Sequence, residues 1–267
     1  MVRVAVAGAS GRMGRTLIRV FAETAGVKVT AAVERHGHAD LGRDAGELAG
    51  IGALGLLVTH DAGTALAAAE VWVDFTAPEA AAHAAEQAAA HKVALVIGTT
   101  GLSDAHRAAI ERASKQVPIV ASSNMSVGVN VLTKLLSEAA RVLGPGYDVE
   151  IVEWHHRQKK DAPSGTAIMM AQALAAASGH NLKRDAVYGR QGQIGARGER
   201  EIGVLAVRGG DVVGDHTAYF LGVGERIELT HRATSRETFA RGAVRAALWV
   251  KDRPPGLYDM QDVLGMR

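Results

Sequence analysis

The amino-acid sequence predicts an α/β protein whose N-terminal part is a doubly wound parallel sheet. Three observations carry this expectation. The chain opens as strand, glycine turn and helix. Short apolar runs then alternate with alanine-rich helical runs as far as Ala121, the rhythm of a parallel sheet with right-handed crossovers. From Glu201 to Arg232 the runs alternate like antiparallel strands, and a helical pattern follows them.

Val2 to Ala7 reads as the first strand and Arg15 to Ala22 as a helix with Leu17, Ile18 and Phe21 on its apolar face. Between them lies Gly8-Ala9-Ser10-Gly11-Arg12-Met13-Gly14. Gly8 permits a tight turn, Gly11 lets backbone approach a pyrophosphate, and Gly14 allows close packing of helix on strand. The residues from Gly8 to Met13 are therefore candidate contacts to a dinucleotide. The second strand, Val27 to Val33, ends in Glu34-Arg35. An acid there suits the adenine ribose hydroxyls and the arginine suits a 2′-phosphate, so the pair predicts use of both NADH and NADPH.

His36 to Gly55 reads as a loop without chemistry, followed by a short strand to Thr59 and a helix Ala62 to Ala68. Val71 to Thr76 is a buried strand, Glu79 to Ala90 a helix, Ala94 to Ile97 a strand. Ser103 caps a helix over Asp104 to Lys115, and Pro118 to Ala121 is the next strand. Gly98, Thr99 and Thr100, and then Ser122, Ser123, Asn124 and Met125, stand at strand carboxyl ends, where such a sheet binds its ligand. They join the cofactor candidates. Val131 to Leu143 is an amphipathic helix ended by Gly144-Pro145-Gly146. Asn181 to Arg200, rich in glycine and arginine, reads as a mobile loop, and Arg236 to Lys251 as the last long helix.

Composition narrows the function classes. Thirty Lys and Arg face 28 Asp and Glu, without a basic block or aromatic ladder, so nucleic acid is not an expected partner. No apolar run is long enough to span a bilayer. The opening Met-Val-Arg-Val-Ala-Val enters a strand without the basic region and cleavage site of a secretory signal. Zero cysteines exclude disulfides and thiolate catalysis and fit a cytoplasmic setting.

One stretch concentrates chemistry: Glu150 to Ala167, EIVEWHHRQKKDAPSGTA. A strand pattern from Tyr147 to Trp154 ends in two imidazoles and a cationic loop. Pro163-Ser164-Gly165-Thr166 then leads into a helix over Ala167 to Ala177, whose N-terminal N–H groups suit an anion. Trp154 is expected in the core or an interface. No third ligand sits at metal spacing beside His155 and His156, so no metal is expected.

This stretch resembles the signature of the dihydrodipicolinate (4-hydroxy-tetrahydrodipicolinate) reductase family, E-[IV]-x-E-x-H-x-x-x-K-x-D-x-P-S-G-T-A, at every fixed position. The resemblance extends to Gly8–Gly14, Glu34-Arg35, Gly42 to Gly50, Gly98 to Gly101, Asn124 to Asn130, Arg208 to His216 and Gly256 to Leu264, nearly the whole chain. It implies reduction to tetrahydrodipicolinate in the diaminopimelate route to lysine, with NADH or NADPH as reductant. It implies a Rossmann domain over 1–126 and 235–267, and an α+β domain over 127–234 that binds a dicarboxylate substrate and builds a homotetramer through an open mixed sheet. The positions matching His155 and Lys159 are the family's catalytic pair. An imidazole titrates nearest neutrality and suits a proton donor, with Lys159 as a second donor and charge stabiliser. His156, Lys160, Gly165 and Thr166 are expected to grip the carboxylates, and Glu153 and Asp161 to orient the imidazole and the cations. A different nicotinamide-dependent reductase, or a non-catalytic dinucleotide sensor, would leave the signature from Glu150 to Ala167 without a purpose.

Overall fold

In the computed structural model, which describes residues 1–266, the chain starts with strand β1 (Val2–Ala7) and helix α1 (Arg12–Ala22). The helix begins at Arg12, before the predicted Arg15, because Gly11 is extended and serves as its N-cap. Next come β2 (Val27–Val33), α2 (Ala45–Ala49), β3 (Val58–Thr59), α3 (Ala62–Ala67), β4 (Val71–Asp74), α4 (Pro78–His91), β5 (Ala94–Ile97), α5 (Asp104–Ser114) and β6 (Pro118–Ala121). Helix α2 lies inside the stretch read as a plain loop. Asp44 organises it, accepting the N–H groups of Gly46, Glu47, Leu54 and Leu56. The predicted Ser103 cap is present as a reciprocal pair with His106.

A second unit, Gly128–Ser235, is held by its own core. Helix α6 (Val127–Leu143) leads through a short turn into β7 (Asp148–His155), α7 (Gly165–Ser178), α8 (Leu182–Asp185), β8 (Ala186–Val187), β9 (Ile202–Arg208), β10 (Gly214–Gly222) and β11 (Glu225–Ala233). The sheet order is β11-β10-β7-β9-β8. Its right-hand half corrects the sequence reading: β9 runs parallel to β7, whereas β10 is antiparallel to both β7 and β11. The 46-residue stretch 156–201, which contains α7, supplies the long connection that a parallel neighbour requires. Leu132 and Leu136 of α6, with Met170 and Leu174 of α7, cover Val149, Ile151, Val204 and Phe220 on one face of the sheet.

The supposed mobile loop 181–200 carries α8 and β8 and is tied down. Arg190 makes two bonds of 2.9 Å to the Glu150 carboxylate. Arg197 reaches Glu150, Asp148 and the carbonyls of Val149 and Glu201.

The chain then returns to the first unit with α9 (Glu237–Val250), β12 (Gly256–Tyr258) and α10 (Met260–Val263). The first sheet is parallel throughout, ordered β12-β6-β5-β4-β1-β2-β3. Alternation along β1 splits two cores. Val4 and Val6 pack with Leu17, Phe21, Ala243 and Ala247 of α1 and α9. Ala5 and Ala7 pack with Leu66, Ala85 and Ile110 of α3, α4 and α5 on the other face. Among the described residues no helix is long and apolar enough to cross a membrane.

Candidate active site

Two sites emerge, one in each unit. In the first, the turn between β1 and α1 has the geometry that a dinucleotide's phosphates need. Gly8 has φ +65°, a left-handed value that favours glycine. A Cβ on Gly14 would stand 2.0 Å from the Gly8 carbonyl oxygen, so only glycine lets α1 lie this close. No side chain caps α1, which leaves its N-terminus open for an anion. Ser10 is buried there. Gly8, Gly11, Arg12, Met13 and Phe75 line a recess of about 350 Å³ with Arg236 and Phe239. Gly8, Gly11, Glu34, Arg35 and Thr76 border a larger cavity of about 490 Å³.

Glu34 stands at the end of β2, where its carboxylate accepts the N–H groups of Ser10 (3.2 Å) and Arg35 (3.0 Å). Asp74, at the end of β4, accepts from Thr76 and from the Thr99 hydroxyl. Burial outweighs those bonds and pushes its pKa up. Gly98 is pressed on the Phe75 ring, which a Cβ would meet at 2.2 Å. Thr99 is buried and Thr100 exposed. Past β6, the Ser122 hydroxyl donates to the Asn124 carbonyl, Asn124 accepts the Ser126 N–H, and Ser123 is exposed. The Met125 side chain belongs to the core, so of Met125 the backbone alone borders this turn. The turn from Gly8 to Gly14 and the carboxylate of Glu34 at the end of β2 could hold the pyrophosphate and a ribose of a dinucleotide.

The second site is the far end of β7. The strand's period of two puts Val149, Ile151, Glu153 and His155 on the buried face. The first two are core; the last two turn the same face polar. Glu153 is fully buried and every oxygen is used. Oε2 accepts from His155 Nδ1 (2.5 Å) and Arg208 (2.7 Å), and Oε1 from Arg208 (2.8 Å) and the Ser164 N–H (2.9 Å). Burial raises its pKa, but these bonds outweigh burial and hold it at about 2. With Nδ1 engaged, Nε2 of His155 is the atom left to reach a substrate. A Cβ on Gly214 would stand 3.0 Å from it.

The loop after His155 is fastened by backbone bonds from His156 to Val212 and from Arg157 to Gly210. Lys159 is half-buried and paired with Asp161 at 2.9 Å. That cation, against the cost of partial burial, lowers the Asp161 pKa. Helix α7 starts at Gly165, with the Ser164 hydroxyl accepting the Ala167 N–H. Open space lies where a Gly165 side chain would be, and Thr166 follows in the first turn. Lys160 is exposed. Trp154, expected in core or interface, is 51% exposed and faces away from the helices.

The sequence reading gave no role to Arg208, His216, Gly214 or Arg236. Arg208 lies opposite His155 in the β7–β9 pairing and His216 opposite Glu153 in the β7–β10 pairing. The polar alternation of the strand beyond Gly214 was the available signal, and it needed the strand register to be read.

Comparison with known proteins follows this division. The family model for the N-terminus of dihydrodipicolinate reductase matches residues 2–125, and that for its C-terminus residues 128–264. The 4-hydroxy-tetrahydrodipicolinate reductase of Syntrophotalea carbinolica is 52% identical, with 100% of both chains covered. That of Anaeromyxobacter sp. (strain Fw109-5) is 56% identical over 100% of this chain and 99% of its own. A solved dipicolinate-bound dihydrodipicolinate reductase from Paenisporosarcina sp. TG-14 shares the fold, with a TM-score of 0.76 at 24% identity over 98% of each chain.

Proposed function

The chain belongs to the dihydrodipicolinate reductase family, and from that membership we propose that it reduces 4-hydroxy-tetrahydrodipicolinate to tetrahydrodipicolinate with NADH or NADPH, in the diaminopimelate route to lysine. The observation that carries this reading is the end of β7, where an imidazole bonded to a buried carboxylate stands with Lys159 and the Ser164-capped start of α7. We assign the reductant to the first unit and the substrate to the second.

The substrate is a cyclic dicarboxylate that loses water to give a conjugated imine. Gly165 and Thr166, at the positive end of α7, suit one carboxylate, and His156 and Lys160 add polar and cationic contacts. A bound nicotinamide dinucleotide supplies the hydride that adds to the conjugated system. The electron-rich product then needs one proton. His155 Nε2 delivers it, since Glu153 fixes Nδ1 and the orientation of the ring. Lys159 stabilises the developing negative charge and serves as the second donor, held in place by Asp161.

Glu34 and Arg35 together suit the ribose hydroxyls of NADH and the phosphate of NADPH, so both serve. A homotetramer built on the face of the second sheet that carries Trp154 would cover that side chain, and a cytoplasmic location agrees with a chain free of cysteine. The function is tested by adding freshly condensed pyruvate and aspartate semialdehyde, made with the synthase, to the protein with NADH or NADPH, and following the absorbance of the reduced nicotinamide. Rapid oxidation is expected with both. No oxidation with either would remove the reading.

A further inference from the structure

A buried imidazole beside the proton donor has no part in the chemistry above. His216 is 3% exposed and sits on β10 directly opposite Glu153. Its Nε2 is 3.0 Å from the Ser164 hydroxyl, and its ring meets the His155 ring edge to face at 5.2 Å between centroids. Its Nδ1 is buried without a partner. Burial, and then the nearby His155, push its pKa down to about 3, so it is neutral near pH 7. An unpaired buried nitrogen is costly, and an apolar side chain would fill such a place more cheaply.

The bonds around it close a ring. His155 is joined to Glu153, Glu153 to the Ser164 N–H, and the Ser164 hydroxyl to His216, which leans back on His155. The same hydroxyl accepts the Ala167 N–H and so fixes the first turn of α7. We propose that His216 is a positioning residue for the reduction: it anchors the Ser164 hydroxyl that caps α7 and backs the His155 ring, so that the carboxylate-gripping turn and the proton donor keep one common geometry. This rests on the reductase reading for its substrate, and on the geometry alone for the coupling.

The test compares His216→Leu, which fills the space but cannot bond, with His216→Gln, which can restore a polar partner to Ser164. Three quantities are measured: KM and kcat with the synthase product, the Kd of pyridine-2,6-dicarboxylate by calorimetry, and the Kd of NADH. His216→Leu is expected to raise KM and the dicarboxylate Kd by about tenfold, the scale of one lost positioning hydrogen bond. NADH affinity stays unchanged and His216→Gln recovers most of the loss. A merely structural role would move NADH affinity with the rest or resist rescue. If His216→Leu binds the dicarboxylate as tightly as the native protein, or His216→Gln is as impaired as His216→Leu, the proposal is overturned. Should His216→Leu fail to fold, His216→Gln against His216→Ala decides: a tighter dicarboxylate complex in His216→Gln supports the role, and equality of the two refutes it. Absence of turnover in the native protein would remove the reductase reading, while the dicarboxylate affinities would still decide the role of His216.

Discussion

Replacing Glu153 by glutamine keeps the shape of the side chain and removes its charge. The native carboxylate accepts bonds from His155, Ser164 and both terminal nitrogens of Arg208 while fully buried. In Glu153→Gln an amide NH₂ must face some of those donors, and Arg208 loses its counter-charge. Breaking a buried pair in this way costs about 3–5 kcal/mol. The carboxyl's proton affinity gives a second route to the size. Its pKa falls from 4.5 to about 2 on folding, and at about 1.4 kcal/mol per tenfold change this is roughly 3 kcal/mol. The sign follows from the depressed folded value. The contribution is fully present above 4.5 and is lost as pH falls towards about 2. Urea unfolding followed by far-ultraviolet circular dichroism, on both proteins at pH 7 and near pH 3, reads the difference. The expected gap is about 3 kcal/mol at neutral pH and about 1.4 kcal/mol near pH 3, a little under half. A gap below about 1 kcal/mol at pH 7, or one that does not shrink with acid, would refute the reasoning.

Other substitutions probe other parts. Gly214→Ala places a methyl group 3.0 Å from His155 Nε2 with a backbone that alanine tolerates, so kcat should fall about tenfold or more while the melting temperature barely moves; unchanged kcat would show that this space is not needed. Gly14→Ala puts a Cβ 2.0 Å from the Gly8 carbonyl, and dinucleotide binding measured by fluorescence titration should be lost; retained affinity would deny the turn its role. Arg197→Ala removes the bonds to Asp148 and Glu150 and should speed amide hydrogen exchange across residues 188–201, with exchange in α1 unaltered.

What was legible in the sequence is what is local. A glycine turn constrains its own backbone, so Gly8, Gly11 and Gly14 marked the tight turn between β1 and α1 before any packing was known. Ser103 caps its helix with a side chain a few bonds away, and the strand pattern from Tyr147 to Trp154 marked the element that carries Glu153. What was not legible depends on register and connection. Arg208 is 55 residues from Glu153 and His216 is 52 from Ser164, and nothing in either segment says which strand it pairs with. The alternation of β9 is the same in a parallel as in an antiparallel neighbour, so its direction was misread. The five residues of α2 are too few to show a helical period. The arm from 181 to 200 looked unstructured because its order comes from Arg190 and Arg197 gripping acids on β7, an arrangement that composition alone reads as solvated charge.

The central claim is that His155 and Lys159 drive the reduction from the second unit while the reductant is held by the first. The most direct measurement is a single turnover of bound NADH with the synthase product in His155→Ala and Lys159→Ala, together with each variant's NADH affinity. The account predicts native NADH affinity and hydride transfer slowed by about a hundredfold or more, the scale of a lost general acid. Native rates in both variants, or loss of NADH binding as the source of the defect, would contradict it.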